Sequence, residues 1–181
     1  MEVNPTGIEG LLILKPRVFG DSRGYFCETF SARRFHELTG IQTEFVQDNQ
    51  ARSAYGVLRG LHFQKGAAAQ AKLVRVSEGA VLDVAVDLRP DSPTFGRHAA
   101  VELTGDNFLQ LYIPRGFAHG YVVLSDFAIF QYKTDNYYNP DAEGAVIWND
   151  PDLAIDWQLP HSDLILSDKD RRNPPLRSLQ S

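Results

Sequence analysis

Eight polar side chains lie inside segments that otherwise have the composition of β-strands. They are Gln47, Asn49, Arg59, His62, Lys72, Asp83, His119 and Tyr132. One such residue alone is most simply a satisfied core or rim residue, but each costs on the order of 1 to 3 kcal/mol if it is buried without a partner. Eight together therefore predict a polar cavity of the kind that binds a ligand.

Residues 56–64 set an arginine and a histidine among Val, Leu and Phe, where each needs a partner if it is buried. Arg59 and His62 are three positions apart, so the strict alternation of a strand sends them to opposite faces. If both serve one cavity, Gly60 must form a bulge or a sharp bend that resets the register. Gln47 and Asn49 are two positions apart and share a face without such a device.

Short strand-like segments recur along the chain, and turns rich in Gly, Pro and Asp separate them. We predict strands within residues 8–15, 44–49, 72–76, 81–88, 99–103, 109–114, 116–124 and 128–133, and an aromatic strand after the turn at 19–24. A single short helix is predicted to begin after the N-cap Ser31, to carry Phe35 and Leu38 on one face and to end at Gly40. The pattern indicates an all-β fold, an antiparallel sandwich or barrel.

The segments 72–76 and 81–88 are predicted to form a hairpin around Gly79. In the second segment Leu82, Val84 and Val86 alternate with Val81, Asp83 and Ala85. Asp83 therefore faces either solvent or a polar cavity.

Length and composition limit the classes of protein that fit. The 181 residues suit one domain, 1–181, and no repeat or linker divides them. A net charge of −5 argues against a nucleic-acid binder, and the single cysteine, Cys27, cannot form an intrachain disulfide. The first residues lack the features of a signal peptide, and no apolar run approaches membrane-spanning length. We expect a cytoplasmic protein that binds neither nucleic acid nor membrane.

Five motifs, in order along nearly the whole chain, resemble those of the dTDP-4-dehydrorhamnose 3,5-epimerase family. They are GVLRGLHFQ at 56–64, QAKLV at 70–74, DVAVDLR at 83–89, IPRGFAHG at 113–120 and SDKD at 167–170. The resemblance implies a cupin-like antiparallel β jelly roll with a few short peripheral helices. It also implies an enzyme without metal or cofactor, and a homodimer that exchanges its N-terminal segments.

The implied substrate is dTDP-4-dehydro-6-deoxy-D-glucose, a dTDP-linked 4-keto-6-deoxy sugar. Inversion at C3 and C5, the two carbons beside the ketone, would give dTDP-4-dehydro-L-rhamnose for dTDP-L-rhamnose biosynthesis. A C–H beside a ketone is acidic because its conjugate base is an enolate, so the site needs a base near the carbon and positive charge near the oxygen. The resemblance makes His62 the base and Asp170 the carboxylate that orients it, with Asp168 as a local competitor.

Two further catalytic roles follow from the resemblance. Lys72 is matched to stabilisation of the enolate, where a cation in a dry site acts most strongly as charge develops. Tyr132 is matched to the acid that returns a proton on the opposite face, because inversion cannot be completed by one base alone. Tyr138 is a nearby phenol that the sequence by itself does not separate from Tyr132.

Substrate contacts are likewise implied by the resemblance. They are assigned to Arg23, Glu28, Gln47, Asn49, Arg59, His119, Glu143 and Lys169, with thymine stacking by Phe19, Phe26 and Tyr138. Arg23 and Arg59 would meet the diphosphate, for which a guanidinium fork is well shaped. His119 is expected to pair with Asp83 as a second histidine–carboxylate unit.

Other functions remain open from the sequence. A monofunctional 3- or 5-epimerase of a related dTDP-keto sugar would carry the same motifs. A metal-dependent cupin enzyme could use His62, His119 and a carboxylate as ligands, although the chain has no His-x-His pair. A non-catalytic sugar-nucleotide binder would keep Arg59 and the aromatic residues but has no need for His62, Lys72 and Tyr132 together.

Overall fold

The computed structural model describes residues 1–179, in which thirteen strands and one α-helix are found. The strands are β1 (Glu2–Pro5), β2 (Leu12–Lys15), β3 (Val18–Asp21), β4 (Gly24–Cys27), β5 (Gln47–Ala54), β6 (Leu58–Gln64), β7 (Lys72–Glu78), β8 (Ala80–Asp87), β9 (His98–Thr104), β10 (Gln110–Ile113), β11 (Phe117–Val123), β12 (Phe127–Thr134) and β13 (Glu143–Ala145). The helix is α1 (Ala32–Thr39), and five short 3₁₀ turns lie mainly in the C-terminal third.

Two antiparallel sheets pack face to face. One has six strands in the order β1-β2-β10-β7-β12-β5, and the other has five in the order β13-β6-β11-β8-β9. The strands β3 and β4 form a separate hairpin that joins neither sheet. The predicted all-β antiparallel jelly roll with short peripheral helices is confirmed.

The strand β8 shows how alternation builds two cores. Val81 and Ala85 point between the sheets and pack with Phe130 and other inward side chains of the six-stranded sheet. Leu82, Val84 and Val86 point the other way, where Trp157, Leu176 and neighbouring C-terminal residues cover them. Since both faces are buried, six of the eight residues of the strand are apolar, and the exceptions are Asp83 and Asp87.

The predicted hairpin between β7 and β8 is wrong. β7 pairs with β10 and β12, whereas β8 pairs with β9 and β11, so the chain crosses from one sheet to the other at Gly79. Gly79 has φ +81°, and a Cβ there would collide with the Phe127 carbonyl oxygen. The sequence suggested that Gly79 belongs to a hairpin turn, but the residue is glycine because the chain crosses tightly from one sheet to the other at this position.

The helix begins and ends as predicted. The Ser31 side chain accepts a hydrogen bond from the backbone N–H of Arg34, and Gly40 closes the helix with φ +72°. Phe35 is fully buried against Leu14 and Tyr112 on the six-stranded sheet, whereas Leu38 remains 47% exposed. No helix within residues 1–179 is long and apolar enough to cross a membrane.

Candidate active site

Gly60 carries the bend that the sequence required. In the pairing of β6 with β11, His62 lies opposite His119 and Arg59 lies opposite Tyr121, with a shift of register between them. Three residues of β6 thus span two of β11, which is a β-bulge. Because residues 119 and 121 share a face of β11, the extra residue in β6 places Arg59 and His62 on that face as well.

Only glycine fits at the bulge. Gly60 has φ +126°, and a Cβ there would lie 2.6 Å from the Cα of Gly120 and 2.8 Å from the His119 carbonyl oxygen. A Cβ on Gly120 would in turn lie 2.6 Å from the Arg59 carbonyl oxygen. The two strands approach each other closely because neither carries a side chain at this point.

A cavity of about 560 Å³ opens between the two sheets where the bulge lies. Six of the residues that the sequence assigned to the site line it, namely Arg59, His62, Lys72, His119, Tyr132 and Asp170. Val57, Leu58, Phe130 and Leu166 form apolar parts of the wall. The cavity therefore combines a few convergent polar groups with an apolar lining, as binding sites commonly do.

His62 is hydrogen-bonded to a buried carboxylate. Its Nε2 lies 2.6 Å from Oδ1 of Asp170, which is 4% exposed, whereas Asp168 is exposed at the surface. Burial acts to raise the pKa of Asp170, but the bonds from His62 and Ser167 outweigh it and hold the pKa below its usual value. An ionised Asp170 that accepts from Nε2 leaves the His62 Nδ1 to accept a proton and stabilises the imidazolium that results.

His119 forms the expected second pair. Its Nε2 lies 2.9 Å from Oδ2 of Asp83, and both side chains are buried. Burial lowers the pKa of His119 although Asp83 opposes this effect, so the ring is neutral at pH 7. This pairing is confirmed, and Asp83 is fully buried behind His119 rather than on a wet face, although it does not itself line the cavity.

Lys72 supplies a cation with an unusual pKa. Burial lowers the pKa of its ammonium to about 8, against the opposing attraction of Asp83 and Glu143. Within residues 1–179, no carboxylate lies within ion-pair distance of Lys72. The ammonium is therefore poised to interact with negative charge on a bound ligand.

Two phenols line the cavity from opposite sheets, Tyr132 on β12 and Tyr121 on β11. Tyr132 is half-buried, and Tyr121 is 5% exposed and stacks on Phe130 at 4.1 Å between ring centroids. Burial raises the pKa of Tyr132, and Tyr121 raises it further, while Arg59 acts in the opposite direction. Tyr132 therefore carries its proton at neutral pH.

A family model described as dTDP-4-dehydrorhamnose 3,5-epimerase matches residues 5–178. The chain belongs to the dTDP-4-dehydrorhamnose 3,5-epimerase family. It is 57% identical to the dTDP-4-dehydrorhamnose 3,5-epimerase of Escherichia coli (strain K12) over 172 residues, which cover 95% of this chain and 92% of the relative.

Solved structures of epimerases match the fold as well as the sequence. The crystal structure of dTDP-4-dehydrorhamnose 3,5-epimerase from Elizabethkingia anophelis NUHP1 superposes with a TM-score of 0.95 at 54% identity, covering 98% of this chain and 97% of that one. The dTDP-6-deoxy-D-glucose-3,5-epimerase of Legionella pneumophila Philadelphia 1, in complex with dTDP-4-keto-L-rhamnose, gives 0.94 at 49% identity, covering 97% and 93%.

Three of the residues that the family resemblance assigned to substrate contacts form a cluster at the start of β13. Glu143 accepts hydrogen bonds from Lys169 Nζ at 2.5 Å and from the Tyr138 hydroxyl at 3.0 Å. Burial acts to raise the pKa of Glu143, but these two bonds hold it below its usual value. Tyr138 is 55% exposed, which places its ring at the surface rather than in the cavity with Tyr132.

Gln47 and Asn49 lie on the inward face of β5, as their spacing predicts. Gln47 Nε2 donates to Asn49 Oδ1 at 2.9 Å, and Asn49 is paired with Tyr132 of β12. Asn49 Nδ2 is buried without a hydrogen-bond partner. A buried amide donor left in this state is costly unless a ligand group accepts from it.

Like Gln47, Asn49, Tyr138, Glu143 and Lys169, four further residues that the family resemblance assigned to the site are not among those that line the cavity. Phe19, Arg23 and Phe26 lie on the β3–β4 hairpin, and Glu28 follows it directly. Arg23 is bound to Asp21 at 2.6 Å, and Glu28 lies 4.0 Å from Arg34. The two phenylalanines are 51% and 69% exposed.

Sequence reasoning missed three hydroxyl groups, two that line the cavity, on Ser167 and Tyr121, and one on Ser53 that is bonded to the cavity residue Arg59. Ser167 Oγ donates to Asp170 Oδ2 at 2.8 Å, and Ser53 Oγ accepts from Arg59 Nε at 3.2 Å. The Tyr121 hydroxyl lies 3.5 Å from Ser53 Oγ. Two of them could have been found from the alternation of a strand. Ser53 is four positions from Asn49, and Tyr121 is two positions from His119, so each shares a strand face with a residue already predicted for the site.

Across the described part of the chain, no group of three or more His, Cys, Asp or Glu side chains is arranged so that it could hold a metal ion.

Proposed function

We propose that this protein is an isomerase, a dTDP-4-dehydrorhamnose 3,5-epimerase that inverts C3 and C5 of dTDP-4-dehydro-6-deoxy-D-glucose. One observation carries the proposal. His62 and Tyr132 come from different sheets that face each other across one cavity, with Lys72 beside them. A base on one wall and an acid on the opposite wall are what inversion at a carbon requires.

The first half of each inversion is removal of a proton. His62 takes the proton from the carbon beside the ketone through Nδ1, and Asp170 at 2.6 Å stabilises the imidazolium. The electron pair left on carbon moves to the ketone oxygen, where the Lys72 ammonium stabilises the enolate. Neutral His119, which is hydrogen-bonded to Asp83, is a further polar group on the wall that carries His62.

The second half returns a proton on the other face. Tyr132 donates its phenolic proton to the enolate carbon, where the C=C electron pair forms the new C–H bond while an electron pair on the enolate oxygen re-forms the ketone C=O. After one inversion His62 holds an extra proton and Tyr132 lacks one, so both must exchange with solvent before the second carbon reacts. Solvent hydrogen is therefore incorporated at each inverted carbon.

The substrate's anionic part has a partner in Arg59. No carboxylate within residues 1–179 lies within ion-pair distance of this exposed guanidinium, so its charge is available to a diphosphate. Asn49 Nδ2, buried without a partner, is a second group that a ligand would satisfy. Tyr138, whose exposed ring is bonded to Glu143 beside Lys169, would stack on thymine.

Proton NMR in heavy water tests the proposed reaction. Incubation with dTDP-4-dehydro-6-deoxy-D-glucose is expected to replace the protons at both C3 and C5 with deuterium and to give the rhamno product. The control is the same incubation with heat-denatured protein, which measures spontaneous exchange. Exchange at one carbon only would replace the double epimerase with a monofunctional one, and no enzyme-dependent exchange would contradict the substrate.

We further propose that the β3–β4 hairpin completes the site of a second copy in a homodimer. The hairpin joins neither sheet of its own chain. Its residues Phe19, Tyr25 and Phe26 expose 51%, 63% and 69% of their surface, more than a hairpin without a partner normally leaves in water. Arg23 and Glu28 would then reach the partner's cavity, with Arg23 near the diphosphate.

Mixed dimers test this arrangement. Arg23→Ala and His62→Ala are each expected to be nearly inactive, but their co-expression is expected to recover about a quarter of wild-type activity, because half of the dimers are mixed and each holds one intact site. Light scattering checks the dimer mass. If the mixture is no more active than its better component, Arg23 and His62 act within one chain.

We also propose that residues 1–181 form one domain, in keeping with a family match that spans residues 5–178. We expect the enzyme to act in dTDP-L-rhamnose biosynthesis, in the cytoplasm, because its proposed substrate is a nucleotide sugar of the cell interior.

A further inference from the structure

Arg59 is held by a neutral group. Its Nε donates to the hydroxyl of Ser53 at 3.2 Å, and no carboxylate of the described chain approaches it. A carboxylate in the place of Ser53 would pair with the guanidinium and compete with an anionic ligand. A hydroxyl fixes the side chain while leaving its positive charge uncompensated.

Ser53 is itself fixed by the two sheets. It is 5% exposed on β5, at the edge of the six-stranded sheet, and lies opposite Ala128. Arg59 and Tyr121 face each other on β6 and β11 of the other sheet. The bond from Arg59 to Ser53 therefore joins the two walls of the cavity.

Tyr121 supports the same hydroxyl. Its ring stacks on Phe130 with an interplanar angle of 13°, and its hydroxyl lies 3.5 Å from Ser53 Oγ. Burial raises the pKa of Tyr121, and the bonds from Ser53 and Arg59 only partly offset this, so the phenol is neutral. A rigid aromatic ring thus holds a neutral donor beside Ser53 and Arg59.

We propose that Ser53 is a positioning residue of this enzyme, which anchors the Arg59 guanidinium so that it meets the diphosphate of the substrate in a fixed orientation. The inference rests on the proposed function, since it assumes that Arg59 binds the diphosphate. An arginine has many rotamers, and ordering it before the ligand arrives reduces the entropy lost on binding. Ser53 would therefore act on affinity through Arg59 without contacting the substrate.

Binding of dTDP, measured by calorimetry, tests the anchor without requiring turnover. Ser53→Ala is expected to weaken dTDP binding about tenfold, because it removes one hydrogen bond to a charged group. KM for the keto sugar should rise by a similar factor while kcat changes less. Ser53→Thr keeps the hydroxyl and should restore most of the affinity. Ser77→Ala, at an exposed position of β7, is the matched control and should leave dTDP affinity unchanged.

A double-mutant cycle separates anchoring from a general structural effect. In an Arg59→Ala background, Ser53→Ala is expected to cause no further loss of dTDP affinity. If it weakens binding by the same factor in both backgrounds, or in neither, Ser53 does not act through Arg59. Ser53→Cys, which keeps the volume and weakens the acceptor, serves if the alanine variant does not fold. Failure of heavy-water exchange in the wild type would overturn the proposed reaction, whereas the cycle addresses only Ser53.

Discussion

Replacement of His62 by asparagine is expected to lower kcat by about 10²- to 10⁴-fold, the range typical of a lost general base. The imidazole lies 2.6 Å from the buried carboxylate of Asp170, which prepares it to accept a proton from the carbon beside the ketone. Asparagine keeps a donor toward Asp170 but cannot accept that proton. Turnover can be followed by NMR of the keto sugar, and dTDP affinity should stay close to that of the wild type.

His98→Asn is the matched control, because His98 lies on the edge strand β9 of the same sheet and does not line the cavity. Its kcat should be close to that of the wild type. A His62→Asn variant that retained full turnover and solvent exchange would show that another group removes the proton.

Replacement of Lys72 by methionine is expected to lower kcat by about 10²- to 10³-fold, as removal of one stabilising donor from an oxyanion site commonly does. Methionine keeps most of the side-chain length, so the loss should reflect the charge rather than a new cavity. Lys15→Met, at an exposed position of β2, is the control and should have no effect. Equal activity in both variants would contradict the role of Lys72 in stabilising the enolate.

The dependence of wild-type activity on pH should also report the charge of Lys72. Burial lowers the pKa of Lys72 to about 8, so the ammonium is present below that pH and is lost as the pH rises through it. Tyr132 keeps its proton over this range because its pKa is raised. We therefore expect kcat/KM to fall as the pH rises through about 8. A decline that begins only near the ordinary lysine pKa of about 10.4 would contradict this assignment.

Much of the fold and part of the site follow from local patterns in the sequence. Alternation identified most strands, and the cap residues Ser31 and Gly40 fixed the helix. The need for a bend at Gly60 followed from the odd spacing of Arg59 and His62, because a strand has a period of two. These inferences succeed because they depend on neighbours within a few residues.

Other features depend on which distant segments meet. Gly79 satisfies both a hairpin and a crossing between sheets, and only the packing of β7 and β8 into different sheets decides between them. Leu38 has helical spacing from Phe35 but remains 47% exposed, since no element within residues 1–179 covers it.

The partners of His62 and Arg59 also separate what the sequence determines from what only the packed structure decides. The sequence alone determined that two histidines, a lysine, an arginine and a phenol occupy strand-like segments and that each would need a partner if it were buried. It left Asp168 and Asp170 equivalent, and it gave no reason to select Ser53. Only the tertiary structure buries Asp170 against His62, leaves Asp168 exposed and brings Ser53 to Arg59 across the two sheets. The physical reason is that hydrogen bonds between residues far apart in sequence, such as the 108 positions from His62 to Asp170, form only where the packed sheets bring both groups together.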